Sequence, residues 1–548
     1  MKIITRFSKL TVVMLIAYLG IAAVSSDHGK YFEISKNIEI FTNLYKEINT
    51  YYVDDIDPAK LMRTGVDAML ESLDPYTNFI SESEIEGFRY ITDGKYNGIG
   101  ALIHRKDDMI VITEPYENCP AHKAGLKAGD IVLEIDGKNA VGKTTDDVSD
   151  ILKGFPGTEI ELKIKRPGVS DNMSITMTRD EVIVPNVPHS SFVTDDIGYI
   201  SLTTFTRDAG KNVAEALKKL KAENPALKGV IFDLRGNGGG LLTEAVNVSN
   251  VFIPKGELVV TTKGKVIDWD RSFKTLNKPV DEEIPLVVLI NKGSASASEI
   301  VSGVIQDLDR GVLIGQRSYG KGLVQNTRDV GYNSKVKMTT AKYYIPSGRC
   351  IQGVSYSDGT PIDIPDAERT AFKTRNGRTV LDGGGVKSDV PLDELAGEGI
   401  MRSLFEKHLI FDFVTEYCVG KETIPAVENF EFKDFDQFVT FLKGKDYHYE
   451  TETEKLLKNL EKKADQEKLL SSVQGDITTL QNKIQQEKKN ELQKNKERIT
   501  DFIEKEIASR YYYQKGKIMM SLKNDIEIEE AVKVLSDNNR YQEILGKK

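Results

Sequence analysis

Three closely spaced serines, Ser294, Ser296 and Ser298, follow an apolar run, Leu286–Ile290, that predicts a β-strand. Apolar residues then recur at helical spacing, at Ile300, Val304, Ile305 and Leu308. A serine at a strand-to-helix turn is exposed on a rigid elbow, and nearby main-chain N–H groups can bind the oxyanion of a tetrahedral intermediate. Serines before a helix are also common as simple N-caps, so the run alone leaves both interpretations open.

A lysine between two glycines, Gly320 and Gly322, is the second candidate for chemistry. A nucleophilic serine needs a base, and no histidine lies near the serine run in the sequence. The amine of Lys321 can act as that base if burial lowers its pKa and keeps it neutral. A lysine in this setting is unusual if its only role is solvation, so the two motifs together favour a serine–lysine pair.

A glycine-rich segment follows another predicted strand, Gly229–Asp233. Residues 234–240 read Leu-Arg-Gly-Asn-Gly-Gly-Gly. Because glycines allow another backbone to approach closely, this segment is a candidate source of a second oxyanion donor.

A carboxylate-binding turn is predicted where two glycines, Gly98 and Gly100, precede a β-type run. Such glycines let consecutive N–H groups point at one acceptor. A helix is predicted over Thr144–Leu152, beside the strand that contains Ile99. Together with the run Ala124-Gly125-Leu126, this order of elements resembles a PDZ domain and implies binding of a protein C-terminus by strand addition. The tail-binding residues would be Gly98, Ile99, Gly100, Ala101, Val148 and Leu152.

The pattern of residues changes along the chain and predicts several domains. Helical spacing dominates before the PDZ-like segment, and β runs alternate with helices after it, which indicates an α/β core. The predicted boundaries are 27–88 for an N-terminal helical segment, 89–170 for the PDZ domain, 171–395 for the α/β core and 396–548 for a charged helical domain. In the last domain three pairs have the order that favours i,i+4 ion pairs in a helix: Glu454/Lys458, Asp501/Lys505 and Glu506/Arg510.

These motifs together resemble the C-terminal processing peptidases, also called tail-specific proteases, over roughly residues 30–395. The resemblance implies a crotonase/ClpP-like α/β protease core with an inserted PDZ domain, a helical N-terminal segment and a helical C-terminal domain. It also implies a role for five residues: Ser296 as nucleophile, Lys321 as general base, Gln325 as the residue that orients this lysine, and Gly240 and Ala297 as oxyanion donors. Ser294 and Ser298 are weaker candidates for the nucleophile.

Composition excludes several other classes of protein. The chain has 548 residues and a formal net charge of −9, which argues against a broad nucleic-acid-binding surface. Its six histidines are scattered, and its three cysteines are too few for a disulfide framework. We therefore predict neither a metal site nor a cofactor.

The N-terminus, residues 1–26, has the pattern of an export signal. A basic start is followed by an apolar run, Leu10–Val24, and then by small residues. The run is short for a membrane span, which needs about 20 residues, so cleavage is favoured over a retained anchor. We expect an exported protein of the periplasm, either soluble or anchored to the inner membrane.

The function implied by the resemblance is that of a serine endopeptidase that cleaves exported proteins near their C-termini, with the PDZ domain binding the substrate tail. The helical ends are candidate contacts for a homo-oligomer. One alternative is a non-catalytic periplasmic PDZ scaffold that binds protein C-termini, which the joint presence of Ser296 and Lys321 disfavours. Another is a crotonase-type acyl-CoA enzyme, which the export signal and the PDZ domain disfavour.

Overall fold

The computed structural model describes residues 30–357, 360–392 and 398–547. The predicted export segment, 1–26, lies outside these described residues. Within them, no helix is both long enough and apolar enough to cross a membrane. The described residues divide into two compact units, one up to Phe79 and one from Ile80 onwards.

The first unit is helical, as its sequence pattern predicts. Its helices are α1 (30–51) and α2 (Pro58–Glu71). The Asp57 side chain accepts hydrogen bonds from two amides of the first turn of α2, and Pro58 fixes the backbone at the first helical position, so the helix begins there. A short strand, β1 (Asn78–Ile80), follows.

The predicted PDZ segment, 89–170, forms an antiparallel sheet with two short helices, together with helix α3, which begins before it, and two strands after residue 170. The elements are α3 (Ile85–Asp93), β2 (Lys95–Gly98), β3 (Ala101–Lys106), β4 (Met109–Pro115), α4 (Pro120–Lys123), β5 (Ile131–Ile135), β6 (Lys138–Asn139), α5 (Thr145–Leu152), β7 (Glu159–Lys165), β8 (Met173–Thr178) and β9 (Asp180–Ile183). The main sheet has the order β3-β4-β5-β7-β8, with β6 paired to β5, while β2 pairs with β9. In β7, Ile160, Leu162 and Ile164 alternate with more exposed residues and are buried, so one face of the sheet packs into the domain core.

The α/β core is built on a six-stranded sheet of order β10-β11-β12-β15-β16-β23. Its first elements are β10 (His189–Thr194), β11 (Ile197–Ser201), α6 (Ala209–Glu223), β12 (Gly229–Asp233), α7 (Leu242–Phe252), β13 (Leu258–Gly264), β14 (Arg271–Lys274), β15 (Leu286–Ile290), α8 (Ala297–Asp307) and β16 (Val312–Gly315). Strands β11, β12, β15, β16 and β23 run parallel, and β10 is antiparallel to β11. Every residue of β12 and β15 is buried, as expected of parallel strands covered on both faces. Helices α6, α7 and α8 cover one face.

A smaller antiparallel sheet carries the segment that follows the predicted lysine. The remaining strands are β17 (Leu323–Gly331), β18 (Ser334–Tyr344), β19 (Val354–Ser357), β20 (Thr360–Asp363), β21 (Ala371–Lys373), β22 (Thr379–Leu381) and β23 (Val390–Pro391). In this sheet β18 pairs with β17 and β13, and β13 pairs with β14. Two separate hairpins form from β19 with β20 and from β21 with β22.

The C-terminal domain is helical, as predicted. Its helices are α9 (Glu398–Glu406), α10 (Leu409–Cys418), α11 (Phe435–Phe441), α12 (Glu452–Gln466), α13 (Leu470–Lys489), α14 (Glu491–Lys494), α15 (Lys496–Ser521), α16 (Ile526–Ser536) and α17 (Asn538–Ile544). Phe413, Phe438 and Ile503 lie in a core of its own, formed by α9–α11 and α15. Helices α16 and α17 instead pack on the second face of the six-stranded sheet, where Ile528 and Leu535 share a cluster with residues of β11, β12, β15 and β16.

Two of the three ion pairs predicted for this domain form, and the third does not. Asp501–Lys505 and Glu506–Arg510 form within α15, at 2.5 and 3.2 Å. Glu454 pairs with Lys488 of α13 at 3.0 Å, while Lys458 pairs with Glu450 at 2.6 Å. The difference arises because α13 packs against α12 and offers Glu454 a less exposed partner than Lys458.

Candidate active site

Ser296 occupies the turn between β15 and α8 and is the N-cap of the helix. Its backbone has φ +55° and ψ −109°, a conformation that non-glycine residues rarely adopt and that is often retained at functional sites. The Ser296 amide donates to Oε2 of Glu299 at 2.8 Å, and its carbonyl accepts the hydroxyl of Tyr343 at 3.1 Å. These two contacts stabilise the strained turn and place a half-buried serine at the start of a buried helix.

The two flanking serines have a different environment. Ser294 and Ser298 are both fully buried. The Ser294 hydroxyl donates to the carbonyl of Leu234, and the Ser298 hydroxyl to the carbonyl of Asn237, each at 2.8 Å. Both hydroxyls therefore join the serine turn to the glycine-rich loop 234–240. Of the three serines, Ser296 is the one that keeps access to solvent.

The glycine-rich loop packs directly against the serine turn. A Cβ atom on Gly239, whose φ is +99°, would lie 2.7 Å from the carbonyl of Ala295 and 2.9 Å from the amide of Ala297. The Gly239 amide donates to Oδ1 of Asn237 at 2.9 Å. Gly240 has φ +147° and borders Phe205, whose carbonyl would lie 2.5 Å from an added Cβ. The structure thus brings the loop of Gly240 and the first helical residue, Ala297, to the same place.

Glu299 connects the serine turn to the lysine segment and was not assigned a role from the sequence. Its fully buried carboxylate accepts four hydrogen bonds: from the amides of Ser296, Gly320 and Lys321 at 2.8, 2.6 and 2.9 Å, and from the hydroxyl of Ser318 at 2.6 Å. Burial raises the pKa of Glu299, while these bonds oppose the rise. The one signal in the sequence was its position three residues after Ser296, which is that of a capping-box glutamate.

Lys321 lies in the loop before β17, not within a strand, and is half-buried. Besides the amide of Lys321, which binds Glu299, its neighbours are also fixed: the Gly322 amide donates to Oε1 of Gln352 at 2.7 Å, and the Gly320 carbonyl accepts the amide of Gly353 at 2.7 Å. Gln352 is a further residue that sequence reasoning missed, because only the fold brings it beside this loop.

Gln325 follows on β17, next to a bulge between Val324 and Gln325 in the pairing with β18. It is half-buried, and its Nε2 donates to the hydroxyl of Thr339 on β18 at 3.2 Å. The bulge sets the side-chain direction of this residue relative to the start of the strand.

The predicted tail-binding residues divide between a groove and the PDZ core. A cavity of about 220 Å³ beside β3 and α5 is lined by Ile99, Ala101 and Leu152. Val148 is fully buried in the PDZ core and is absent from the residues that line this cavity.

The remaining predicted residues form the turn at the end of the cavity. Gly98 ends β2, and Gly100 has φ +75°, where a Cβ would lie 2.4 Å from the Cβ of Cys119. Three tyrosines that the sequence did not single out also line the cavity, Tyr90 from α3 together with Tyr96 and Tyr116. Across the described ranges, we find no cluster of His, Cys, Asp or Glu side chains that could bind a metal ion.

Three known families match separate parts of the chain. The sequence pattern of "Peptidase family S41" matches residues 196–364, and that of "PDZ domain" matches residues 111–166. The pattern "Probable PDZ-protease, C-terminal helical domain" matches residues 400–535.

Individual relatives carry protease names. A "Carboxy-terminal-processing protease" of Bartonella bacilliformis is 37% identical over 359 residues, which cover 65% of this chain and 82% of that protein. A "Probable CtpA-like serine protease" of Staphylococcus aureus is 32% identical over 358 residues, or 65% of this chain and 70% of that protein. Among solved structures, a photosystem II D1 C-terminal processing protease is 27% identical, with a TM-score of 0.36, and the match covers 64% of this chain and 92% of that one.

Proposed function

The chain belongs to the serine-type C-terminal processing proteases of peptidase family S41 and carries a PDZ domain, and we propose that Ser296 and Lys321 are its catalytic dyad. The observation that carries this proposal is the shared carboxylate of Glu299: its Oε2 atom accepts the main-chain amides of both residues. Two residues whose main-chain amides bind one oxygen atom lie side by side, which is a precondition for direct proton transfer between their side chains.

In the proposed reaction, neutral Lys321 takes the proton from Ser296 Oγ while Oγ attacks the carbonyl carbon of the scissile peptide bond. The amides of Ala297 and Gly240 bind the oxyanion. Gly240 is favoured over its neighbour because the Gly239 amide already donates to Asn237. Each oxyanion donor contributes about 2.7–4 kcal/mol to transition-state stabilisation in enzymes of this type.

Collapse of this intermediate breaks the C–N bond, and Lys321 returns its proton to the leaving amine. Water then attacks the acyl-enzyme, with Lys321 again as base, and releases Ser296. Gln325 orients Lys321 in this scheme, and its hydrogen bond to Thr339 on β18 supports that role by fixing the amide. Only the neutral amine can accept this proton, so the scheme requires the deprotonated form of Lys321.

The PDZ domain supplies the substrate tail in this proposal. The terminal carboxylate binds the amides of the turn Gly98–Ala101, and the last side chain enters the cavity formed by Ile99 and Leu152. The substrates are therefore protein chains with an accessible C-terminus. Export to the periplasm, soluble or anchored to the inner membrane, follows from the pattern of residues 1–26.

A homo-oligomer through the helical ends is part of the proposal. Tyr31, Ile34, Ile38 and Phe41 follow one another at three- and four-residue steps on α1, and all four are exposed. Such a stripe fits the same stripe of a second copy. Sedimentation equilibrium of the whole chain and of an Ile34→Lys/Ile38→Lys variant would test it, since the variant should sediment as a monomer.

Cleavage of a tailed protein by wild type, Ser296→Ala and Lys321→Ala tests the dyad. We expect both variants to lose proteolysis and to bind a fluorescent tail peptide with wild-type affinity. Full activity of Ser296→Ala would show that the nucleophile is wrong. Peptide binding without cleavage by the wild type would favour the non-catalytic scaffold instead.

A further inference from the structure

A helix of the C-terminal domain reaches the glycine-rich loop of the candidate active site. The guanidinium of Arg235, in that loop, donates to Asp233 at 2.7 Å. Its other side binds two acidic residues at the start of α16: Asp525 at 2.7 Å, and Glu527. One largely buried cation is thus shared by three carboxylates, two of which come from the far end of the sequence.

The two acidic residues lie at the start of α16, a helix that packs on the six-stranded sheet. Asp525 is the N-cap of α16, and its carboxylate also accepts the amides of Glu527 and Ile528, at 2.9 and 3.3 Å. Ile528, Ala531 and Val534 of this helix pack on the sheet, in one cluster with residues of its strands. The helix therefore cannot shift without disturbing a buried interface.

From Arg235, the main chain leads directly to the serine turn. The neighbouring carbonyl of Leu234 accepts the Ser294 hydroxyl at 2.8 Å, and the Gly236 amide donates to Oδ1 of Asn291 at 2.9 Å. At the next residue, the Asn237 carbonyl accepts the Ala295 amide at 3.0 Å. Any rotation of the loop at Arg235 is transmitted to the turn that carries the nucleophile and to the glycines beside Ala297.

We propose that Asp525 and Glu527 are positioning residues of the protease, which fix the oxyanion loop through Arg235. This assigns the C-terminal helix a part in catalysis without contact to substrate. It rests on the proposed function of Ser296 and Gly240. It predicts a loss of turnover, with substrate binding unchanged, because the tail-binding groove lies in the PDZ domain and the loop acts on the transition state.

The test compares isosteric variants in the full-length protein with a peptide substrate whose cleavage requires Ser296. Glu527→Gln and Asp525→Asn should each lower kcat about 10-fold or more and leave KM and tail-peptide affinity at wild-type values. Glu529→Gln, on the exposed side of the same helical turn, is the matched control and should keep the wild-type kcat. In an Arg235→Met background, Glu527→Gln should have no further effect on kcat.

A second control separates positioning from general loosening of the helix. Tyr541→Phe removes the hydrogen bond that the Leu286 amide of β15 donates to α17 at 3.0 Å but leaves α16 and Arg235 untouched, so it should lower the melting temperature and keep kcat. An unchanged kcat in folded Glu527→Gln, or an equal loss of kcat in Tyr541→Phe, would overturn the proposal. Cleavage that persists in Ser296→Ala would instead refute the proposed function, so the two failures are distinguishable.

Discussion

The main-chain amides of Ser296 and Lys321 donate to the same atom, Oε2 of Glu299, at 2.8 and 2.9 Å. One residue follows a strand of the large sheet, and the other precedes a strand of the small sheet. Their separation is therefore set by a single buried side chain, and not by either sheet alone. The geometry of the proposed dyad depends on the ionised, acceptor-only form of that carboxylate.

Replacing Glu299 by glutamine should lower kcat about 100-fold. In either orientation the side-chain NH2 group of glutamine faces at least one main-chain amide donor, and hydrogen bonds to charged groups contribute about 1.5–3 kcal/mol each. Steady-state kinetics on the folded variant would measure the loss. Glu244→Gln, a buried glutamate of α7 that accepts the Gly210 amide, is the control, and an equal loss of kcat there would contradict the specific role of Glu299.

A methyl group at Gly239 should abolish most activity. Its Cβ would meet the Ala297 amide and the Ser296 Cβ at 2.9 Å, in a backbone conformation that disfavours a side chain. We expect Gly239→Ala to lower kcat about 100-fold, the usual cost of a lost oxyanion donor. Gly238→Ala adds its methyl group where no atom lies within 4 Å and should remain near wild type. Equal kinetics of the two variants would argue against the close packing of loop and turn.

Ser294→Ala and Ser298→Ala should destabilise the protein without removing the nucleophile. Each variant deletes a buried hydrogen bond to the glycine-rich loop, at a cost of about 1 kcal/mol. Thermal unfolding should therefore begin at a lower temperature, while an active-site serine probe still labels the protein. Ser296→Ala should show the reverse: unchanged unfolding and no labelling.

His104 should make the protein less stable in acid. Its ring stacks on His408 at a centroid distance of 4.0 Å. Burial, and then the neighbouring His408, lower the pKa of His104 to about 4. In the unfolded chain this group takes up a proton near pH 6.5, whereas the folded protein resists protonation down to about pH 4. The stabilisation from neutral His104 is thus complete above pH 6.5 and is lost as the pH falls towards 4.

Melting temperatures of wild type and His104→Phe across pH 4–7 would check this prediction, since phenylalanine keeps the ring but not the proton. The difference between wild type and variant should favour the variant increasingly as the pH falls. His448→Phe, at an exposed position, should follow the wild type. A His104→Phe curve parallel to that of the wild type would contradict the assignment.

The strands of the large sheet were predictable where every residue of the strand is buried. The runs Leu286–Ile290 and Gly229–Asp233 became strands with the predicted bounds, because a parallel strand covered on both faces needs apolar residues throughout. The helix predicted from Thr144 begins at the next residue, since the Thr144 side chain caps it. These features depend on local sequence.

What escaped prediction depends on contacts between distant segments. Glu299 reads as a helix cap in the sequence, and only the fold brings Lys321 to the same oxygen. Glu454 has a suitable partner four residues away but binds Lys488, because α13 lies alongside. Val148 has the spacing of a groove residue, yet the sheet covers it completely. In each case a neighbour that is remote in sequence decides the environment of the side chain.

The packing of α16 and α17 on the large sheet has a consequence for biosynthesis. The inner strands are made long before these two helices leave the ribosome, and until then one apolar face of the sheet, with Ile231 and Leu289, has no cover. Such long-range closure is slow compared with local helix formation. We therefore expect the proposed active site to be completed only after synthesis has passed Leu545.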